Sequence, residues 1–243
     1  MRITVNDKEV VIPSSLSEFT LGQRIAFQEE YGNDLDEWLK KIVEMEDGPM
    51  KELEVVEFQM EKMFRTFAFF ANCTPEALKE SEFVDKIANI YYACLSVLFE
   101  SESKVECRQE YSWKGETWVL HPPSLKHGDK MQFGEFIDSK QVVQNLIALG
   151  KSRWDAMLQL CAIYLRKPSE EYDESFLYEN SERIEMMREL PMDIAMGVGF
   201  FLTASMSLSI HHFQSSTVAE SKEVVGTQQN TSSNGDGSIS LNP

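Results

Sequence analysis

Two short segments of the chain have similar orders of apolar and polar residues. Residues 5–12 match residues 113–120 position by position, 108 residues apart and without a gap. The residues that lead into each segment, 1–5 and 111–113, alternate apolar and polar side chains, as is typical of half-buried β-strands. Each segment also contains a residue pair suited to a tight turn, Asn6-Asp7 in the first and Lys114-Gly115 in the second. The pattern therefore predicts two β-hairpins.

The similarity between the two halves continues beyond the hairpins. Further landmarks follow in the same order, with insertions between them: Leu21-Gly22 and Phe133-Gly134, residues 67–71 and 161–165, and the motifs that begin at Phe83 and Leu190. A tandem duplication leaves such a fixed order of matched landmarks. We therefore predict a mainly α fold with short β-hairpins (α+β), built from two tandem hairpin-plus-helices modules at 1–103 and 104–213.

Each module also contains a helix with an apolar stripe. In the first module, apolar residues recur every three or four positions, at Met50, Leu53, Val56, Met60, Met63, Phe67 and Phe70. This period predicts an amphipathic helix whose stripe is buried. In the second module the stripe consists of Trp154, Met157, Leu158, Cys161 and Leu165.

Two sets of carboxylates lie on single helical faces. They are Glu54, Glu57 and Glu61 in the first module, and Glu182, Glu185 and Glu189 in the second. We interpret both sets as solvated faces away from the apolar stripes. The alternative is a site for a divalent cation or for acid–base chemistry.

Two segments near the end of the chain have distinctive compositions. Residues 194–210 carry no charged side chain, but these 17 residues are fewer than the roughly 20 that a membrane span needs. We therefore predict a buried core helix. Residues 214–243 are dominated by Ser, Thr, Asn, Gly and Gln, which predicts a disordered polar tail.

Net charge indicates the kind of partner, and the cysteines and the opening residues indicate the compartment. The chain has a formal net charge of −17, which argues against binding to nucleic acid or to an anionic membrane surface. A positively charged protein partner is compatible with this charge. The four cysteines form no C-x-x-C pair, and the opening residues have no hydrophobic signal, so we expect a reducing cytoplasm.

No catalytic signature accompanies the structural pattern. The chain lacks a phosphate-binding glycine loop and a Gly-x-Ser-x-Gly motif, and none of its four histidines has the spacing of a helical metal site: His121, His127, His211 and His212. We therefore expect a non-enzymatic protein without a cofactor or a metal ion. The candidate partner-binding residues are Glu54, Glu57, Glu61, Trp113 and Trp118.

The two tryptophans have two interpretations. Tryptophan is common at interface hot spots, which makes Trp113 and Trp118 candidate anchors for a partner. They are also suited to the core of the second module. The core interpretation is favoured because Val5 and Val10 stand at the matching positions of the first module.

Three stretches of the chain point to a group of proteins. They are the opening hairpin with Pro13 and Leu21-Gly22, residues 160–167 (LCAIYLRK), and residues 188–193 (RELPMD), which lead to Phe200-Phe201-Leu202. With these stretches the chain resembles small acidic helical proteins of tailed bacteriophages, and in particular tail-assembly chaperones. The resemblance implies a non-enzymatic protein that binds an elongated tail component during assembly, in the host cytoplasm.

Two other functions remain open at the level of sequence. The chain is also suited to be a virion structural component, such as a connector, ring or tail subunit, whose two modules supply pseudo-symmetry. Its acidity further allows a nucleic-acid mimic that blocks a nucleic-acid-binding protein. For the chaperone we expect the partner to be a basic or amphipathic segment of a phage structural protein, steered by the acidic helical faces.

Overall fold

A computed structural model of the chain describes residues 1–5, 8–79, 84–96, 105–121, 133–178 and 180–199. Most of these residues are helical and the strands are short, which confirms the predicted mainly α fold with short β elements. The predicted tail at 214–243 and residues 200–210 of the predicted apolar helix lie outside the described residues. The same holds for His127, His211 and His212.

Both predicted hairpins form. β1 (Arg2–Val5) pairs antiparallel with β2 (Lys8–Val11), and β3 (Glu110–Trp113) pairs antiparallel with β4 (Glu116–Leu120). Val5 is opposite Lys8, and Trp113 is opposite Glu116, so the two registers agree at the spacing of 108 residues found in the sequence.

The turn of the second hairpin has a backbone that twists with its strands. Lys114 and Gly115 have positive φ angles of 52° and 75°. Two positive φ angles in a two-residue loop are the geometry that suits a right-handed hairpin. A short third strand, β5 (Leu165–Arg166), pairs antiparallel with β4 and extends this hairpin to a three-stranded sheet.

One helical segment runs from residue 21 to residue 44. It consists of α1 (Leu21–Phe27), a π-helical turn (Gln28–Gly32) and α2 (Asn33–Glu44). Thr20 and Gln23 form a capping box that satisfies the free N–H groups at its start. α3 (Pro49–Ala71) follows after a short turn, with proline at its first position, where the missing N–H costs nothing.

The remaining helices follow in chain order. They are α4 (Pro75–Lys79), α5 (Val84–Ile90) with a π-helical extension (Tyr91–Leu95), α6 (Phe133–Leu149), α7 (Arg153–Tyr164), α8 (Glu182–Arg188) and α9 (192–199). Two 3₁₀ turns occupy Leu16–Glu18 and Glu174–Leu177. Ser152 and Ser181 cap α7 and α8 by accepting a hydrogen bond from the backbone N–H three residues on.

The main hydrophobic core draws on both predicted modules. α1 packs against α7 and α8. Backbone hydrogen bonds join the same regions, because the Leu21 N–H donates to the Leu190 carbonyl (2.9 Å) and the Met192 N–H donates to the Phe19 carbonyl (2.8 Å). All described residues belong to one compact unit. The module boundary and the duplication therefore stay predictions from sequence, while the two segments share one core.

The apolar stripe of α7 is buried as the sequence predicts. All of its members are less than a tenth exposed: Trp154, Met157, Leu158, Cys161 and Leu165. The described part of the uncharged segment, residues 194–199, is also buried. Ala195, Met196 and Val198 of α9 are almost fully buried. None of the helices in the part of the chain that the structure describes is long and apolar enough to cross a membrane.

Candidate functional site

α2 and α3 form a helical hairpin that carries the candidate acidic residues. The two helices pack against each other around a second, small hydrophobic cluster. Its buried members are Phe27, Leu35, Ile42 and Phe58. Tyr31, Trp38 and Phe69 are half-buried at its edge.

Trp38 determines which face of α3 meets α2. Its indole N–H donates a hydrogen bond to Glu54 Oε2 (2.9 Å). Its ring meets Phe58 edge-on, with 5.7 Å between the ring centroids. Glu54 and Phe58 are four residues apart and therefore lie on one face of the helix. α2 thus covers the face of α3 that contains Glu54 and Phe58.

This packing leaves half of the α3 apolar stripe exposed. Met63 and Phe67 are buried in the main hydrophobic core, and α3 packs against α5, the π-helical extension of α5 and β2. The four members in the first half have exposed fractions from 48% to 65%: Met50, Leu53, Val56 and Met60. The prediction that the stripe is the buried face is therefore wrong for its first half. The physical reason is that α2 packs on a different face.

We call Leu53, Val56 and Met60 the outer face of α3. At 100° per residue these three side chains fall within an arc of about 60°, on the side of the helix away from α2. Two exposed carboxylates border this arc, Glu52 on one side and Glu57 on the other. The outer face is therefore an apolar strip with an acidic rim.

The three candidate carboxylates of α3 have different environments. Glu57 is exposed, as predicted. Glu54 is half-buried and accepts the hydrogen bond from Trp38. Glu61 is also half-buried, and it forms ion pairs with Arg65 (2.8 Å) and Lys79 (2.6 Å). The interpretation of all three as one solvated face is therefore wrong for Glu54 and Glu61, which have structural partners inside the chain.

Glu61 links α3 to α4 through this pair of cations. Burial raises the pKa of Glu61, but the hydrogen bonds and charges of Lys79 and Arg65 outweigh burial, so the pKa lies below its ordinary value of 4.5. A carboxyl group whose pKa is lowered by folding contributes stability above its unfolded pKa, and this contribution is lost as the pH falls through the folded pKa.

We expect Glu61→Gln to lower the free energy of unfolding at pH 7 by about 1 kcal/mol, because two ion pairs lose their charge. The difference between the variant and the parent should shrink as the pH falls below 4.5. Urea titrations at several pH values measure both effects. Glu57→Gln, on the exposed side of the same helix, is the matched control and should leave stability unchanged. A difference that grows toward low pH would contradict the assignment.

The second carboxylate set is exposed as the sequence predicts. Glu182, Glu185 and Glu189 of α8 and its C-terminal cap face solvent. Glu185 pairs with Arg188 (3.4 Å), and Glu189 pairs with Lys114 of the second hairpin. Exposed pairs of this kind contribute little to stability.

Trp113 and Trp118 are core residues. Trp113 is 8% exposed and Trp118 is fully buried, and the Trp118 indole N–H donates to the Trp113 carbonyl (3.2 Å). The Arg183 guanidinium lies 5.0 Å from the Trp118 ring centroid. Because neither indole faces solvent, the interpretation of these residues as anchors for a partner is corrected, and the core interpretation holds.

The sequence patterns did not indicate a set of buried and half-buried polar groups around Arg166 of β5. Arg166 Nη1 donates to Glu135 Oε1 (2.8 Å), and both side chains are 5% exposed. Arg183 pairs with Glu170 (3.2 Å), and the Tyr172 hydroxyl donates to Asp138. Burial raises the pKa of Tyr172, and the hydrogen bond to Asp138 raises it further. The partners are 13 to 34 residues apart, so no local motif marks them.

The described residues offer little for nucleophilic or metal chemistry. All four cysteines are free thiols, and burial raises the pKa of Cys161 to about 12, which keeps the thiol protonated at neutral pH. Burial, and then the charge of Arg166, lower the pKa of His121. Within the described ranges, no three His, Cys, Asp or Glu side chains are grouped to hold a metal ion.

Comparison with protein-family models, with curated proteins and with solved structures finds no match for the chain. The candidate site is therefore defined by its own geometry. It consists of the outer face of α3 and the acidic residues that border it.

Proposed function

We propose that the protein is a non-enzymatic binding protein whose α2–α3 hairpin holds a basic amphipathic helix of another protein. The observation that carries the proposal is the outer face of α3, an apolar strip on a helix whose opposite side is already packed. Exposed apolar strips with polar rims are typical of protein–protein contact sites. An amphipathic helix fits such a strip with residues at i, i+3, i+4 and i+7.

The charge of the hairpin supports a basic partner. Between Glu29 and Glu61 the chain has twelve acidic residues and three basic ones. This segment therefore contributes about half of the net charge of −17. A field of one sign speeds the encounter with a partner of the opposite sign and disfavours acidic competitors.

Methionine makes the strip adaptable. Met60 is the last residue of the strip and is 48% exposed, and Met50, one turn before the strip, is 65% exposed. Methionine has three rotatable bonds and a polarisable sulfur, so it fits differently shaped apolar partners. A chaperone that must hold and then release a segment benefits from such a surface.

We extend the proposal with the resemblance to tail-assembly chaperones. The partner is then a long structural component of a tailed phage, held by the protein while the tail is assembled. A chaperone is absent from purified particles, whereas a connector, ring or tail subunit is present in them. Mass spectrometry of purified particles therefore separates the proposed function from the structural alternative.

The binding site can be tested with a synthetic helical peptide that has leucines on one face and lysines on the other. We expect Leu53→Ser/Val56→Ser to weaken binding by about tenfold or more, which corresponds to about 1.4 kcal/mol. Fluorescence anisotropy of the labelled peptide measures the affinity. The matched control is Ile137→Ser/Leu149→Ser on α6, where both side chains are similarly exposed. It should bind the peptide as the parent does.

Three results would count against the proposal. The first is equal affinity of the two double variants, and the second is equal binding of a peptide with the same composition in scrambled order. The third is a large loss of stability in Leu53→Ser/Val56→Ser but not in the α6 control, since it would mean that another part of this chain covers the outer face.

Charge reversal separates steering from packing. Glu52→Lys/Glu57→Lys should slow association, and the effect should fade as salt shortens the Debye length from about 10 Å at 0.1 M to about 3 Å at 1 M. Glu54 and Glu61 are left intact in this test because they have partners within the chain. Stopped-flow mixing with the same peptide measures the rates.

A further inference from the structure

A cavity of about 260 Å³ lies beside the α2–α3 hairpin, where the hairpin meets α1 and the start of α7. Three cationic side chains from three separate helices line it: Arg24 of α1, Lys62 of α3 and Arg153 of α7. Asp36 is the one carboxylate among the described residues that line the cavity. The lining therefore has a surplus of two positive charges in a chain whose net charge is −17.

Trp154 holds two of the cations in place. The guanidinium carbon of Arg24 lies 4.5 Å from the centroid of the indole, and that of Arg153 lies 4.2 Å from it. Arg24 also lies 5.5 Å from the centroid of the Phe27 ring, and its side chain is buried. Cation–π contacts of this length fix the orientation of the guanidinium groups.

The like charges at the cavity oppose one another. Burial, and then the charge of Arg153, lower the pKa of Arg24 to about 10, although the charge of Asp36 raises this pKa in part. Burial, and then the charge of Arg24, lower the pKa of Lys62. Arg24 still carries its charge at neutral pH. A bound anion would offset this repulsion.

Polar groups beside the cavity are held by partners within the chain. α7 begins at Arg153, and Ser152 and Asp155 form a capping box at this helix end. Gln28 and Gln59 line the cavity. Gln28 Nε2 donates to Asp36 (2.7 Å) and to Asn33 Oδ1 (3.2 Å), which ties the one carboxylate to the scaffold.

The π-helical turn shapes the same wall. It spans Gln28–Gly32, and π-helical turns occur often at functional sites. A Cβ atom at Gly32 would come within 2.6 Å of the Gln28 side chain. Glycine at this position therefore leaves Gln28 the space to face the cavity.

We propose that this cavity binds a small oxyanion of the phosphate class, held by Arg24, Lys62 and Arg153. Arginine and lysine are the side chains that bind phosphate oxygens most strongly, with charge-assisted hydrogen bonds. The volume lies just below the range of about 300–1,000 Å³ that is usual for drug-sized ligands, which favours a small ligand. The site differs from the outer face of α3, because it lies on the side of the hairpin that faces α1 and α7.

Inorganic pyrophosphate is the probe for the test, with the full chain and isothermal titration calorimetry. We expect saturable binding that Lys62→Met/Arg153→Met weakens by about tenfold or more, since two charge-assisted contacts to the anion are lost. Lys40→Met/Lys41→Met removes the same charge from exposed positions of α2 outside the cavity and is the matched control. Its affinity should stay within about twofold of the parent, since it lacks contact with the cavity.

Two results would overturn the proposal. One is the absence of saturable binding at millimolar pyrophosphate. The other is an equal loss of affinity in the two double variants, which would show a response to overall charge only. If Lys62→Met/Arg153→Met does not fold, Arg153→Met alone decides the question, because Arg153 is exposed. Unchanged affinity of this single variant would then reject the site.

Discussion

Phe58→Ala is expected to lower the free energy of unfolding by about 3–5 kcal/mol, the usual cost of removing a buried phenylalanine ring. Phe58 is 6% exposed and belongs to the small cluster that joins α2 to α3. Its loss removes the edge-on contact with Trp38 and leaves a cavity beside Leu35 and Ile42. Urea unfolding followed by circular dichroism measures the loss. The fluorescence of Trp38 should change at the same time.

Met60→Ala is the matched control, two residues away on the same helix. Met60 is 48% exposed, so its truncation should change stability by no more than about 0.5 kcal/mol. The apolar stripe read from the sequence makes the opposite prediction, because it includes Met60 and omits Phe58. A larger loss for Met60→Ala than for Phe58→Ala would show that the packing of α2 on α3 has been assigned to the wrong face.

Local patterns predicted the elements of this fold well. The alternating segments and their turn pairs indicated both hairpins, including the register around Lys114-Gly115. Helical periodicity located α3 and α7 to within a few residues, and it identified the buried stripe of α7. These features depend on neighbours within a few residues along the chain, and such neighbours are visible in a sequence.

The candidate site was predicted less well, because it depends on which helices meet. α3 has apolar residues around much of its first half, so periodicity alone could not show which face α2 covers. Trp38 determines the covered face through its contacts with Glu54 and Phe58, which are 16 and 20 residues away along the chain. The cationic cavity has no sequence signal at all, since Arg24, Lys62 and Arg153 come from distant segments.

The proposed function depends on a difference in packing between α1 and the α2–α3 hairpin. α1 packs into the shared core through α7 and α8, while α2 and the first half of α3 pack mainly on each other. Such an arrangement presents the outer face of α3 without committing it to the core. Glu57 stays exposed in this arrangement, while Glu54 links α3 to α2 and Glu61 links α3 to α4.

A buried ion pair between α6 and β5 can be tested on its own. Glu135 of α6 and Arg166 of β5 are 2.8 Å apart, and both side chains are 5% exposed. Glu135→Leu should lower the free energy of unfolding by about 3–5 kcal/mol, because it leaves the Arg166 charge buried without its carboxylate. Arg166→Met should lower the free energy of unfolding by a similar amount, because it leaves the Glu135 carboxylate buried without its cation. Urea unfolding of each variant measures these losses.

The double variant Glu135→Leu/Arg166→Met should recover most of the stability that either single variant loses. Two apolar side chains need no desolvation of charge, and replacing a buried ion pair in this way is often neutral or stabilising by about 1–4 kcal/mol. Arg166 Nε is also buried and has no hydrogen-bond partner among the described residues, so its removal takes away a buried polar atom that is not satisfied. Additive losses in the double variant would mean that the two side chains contribute through packing and not through their mutual charge.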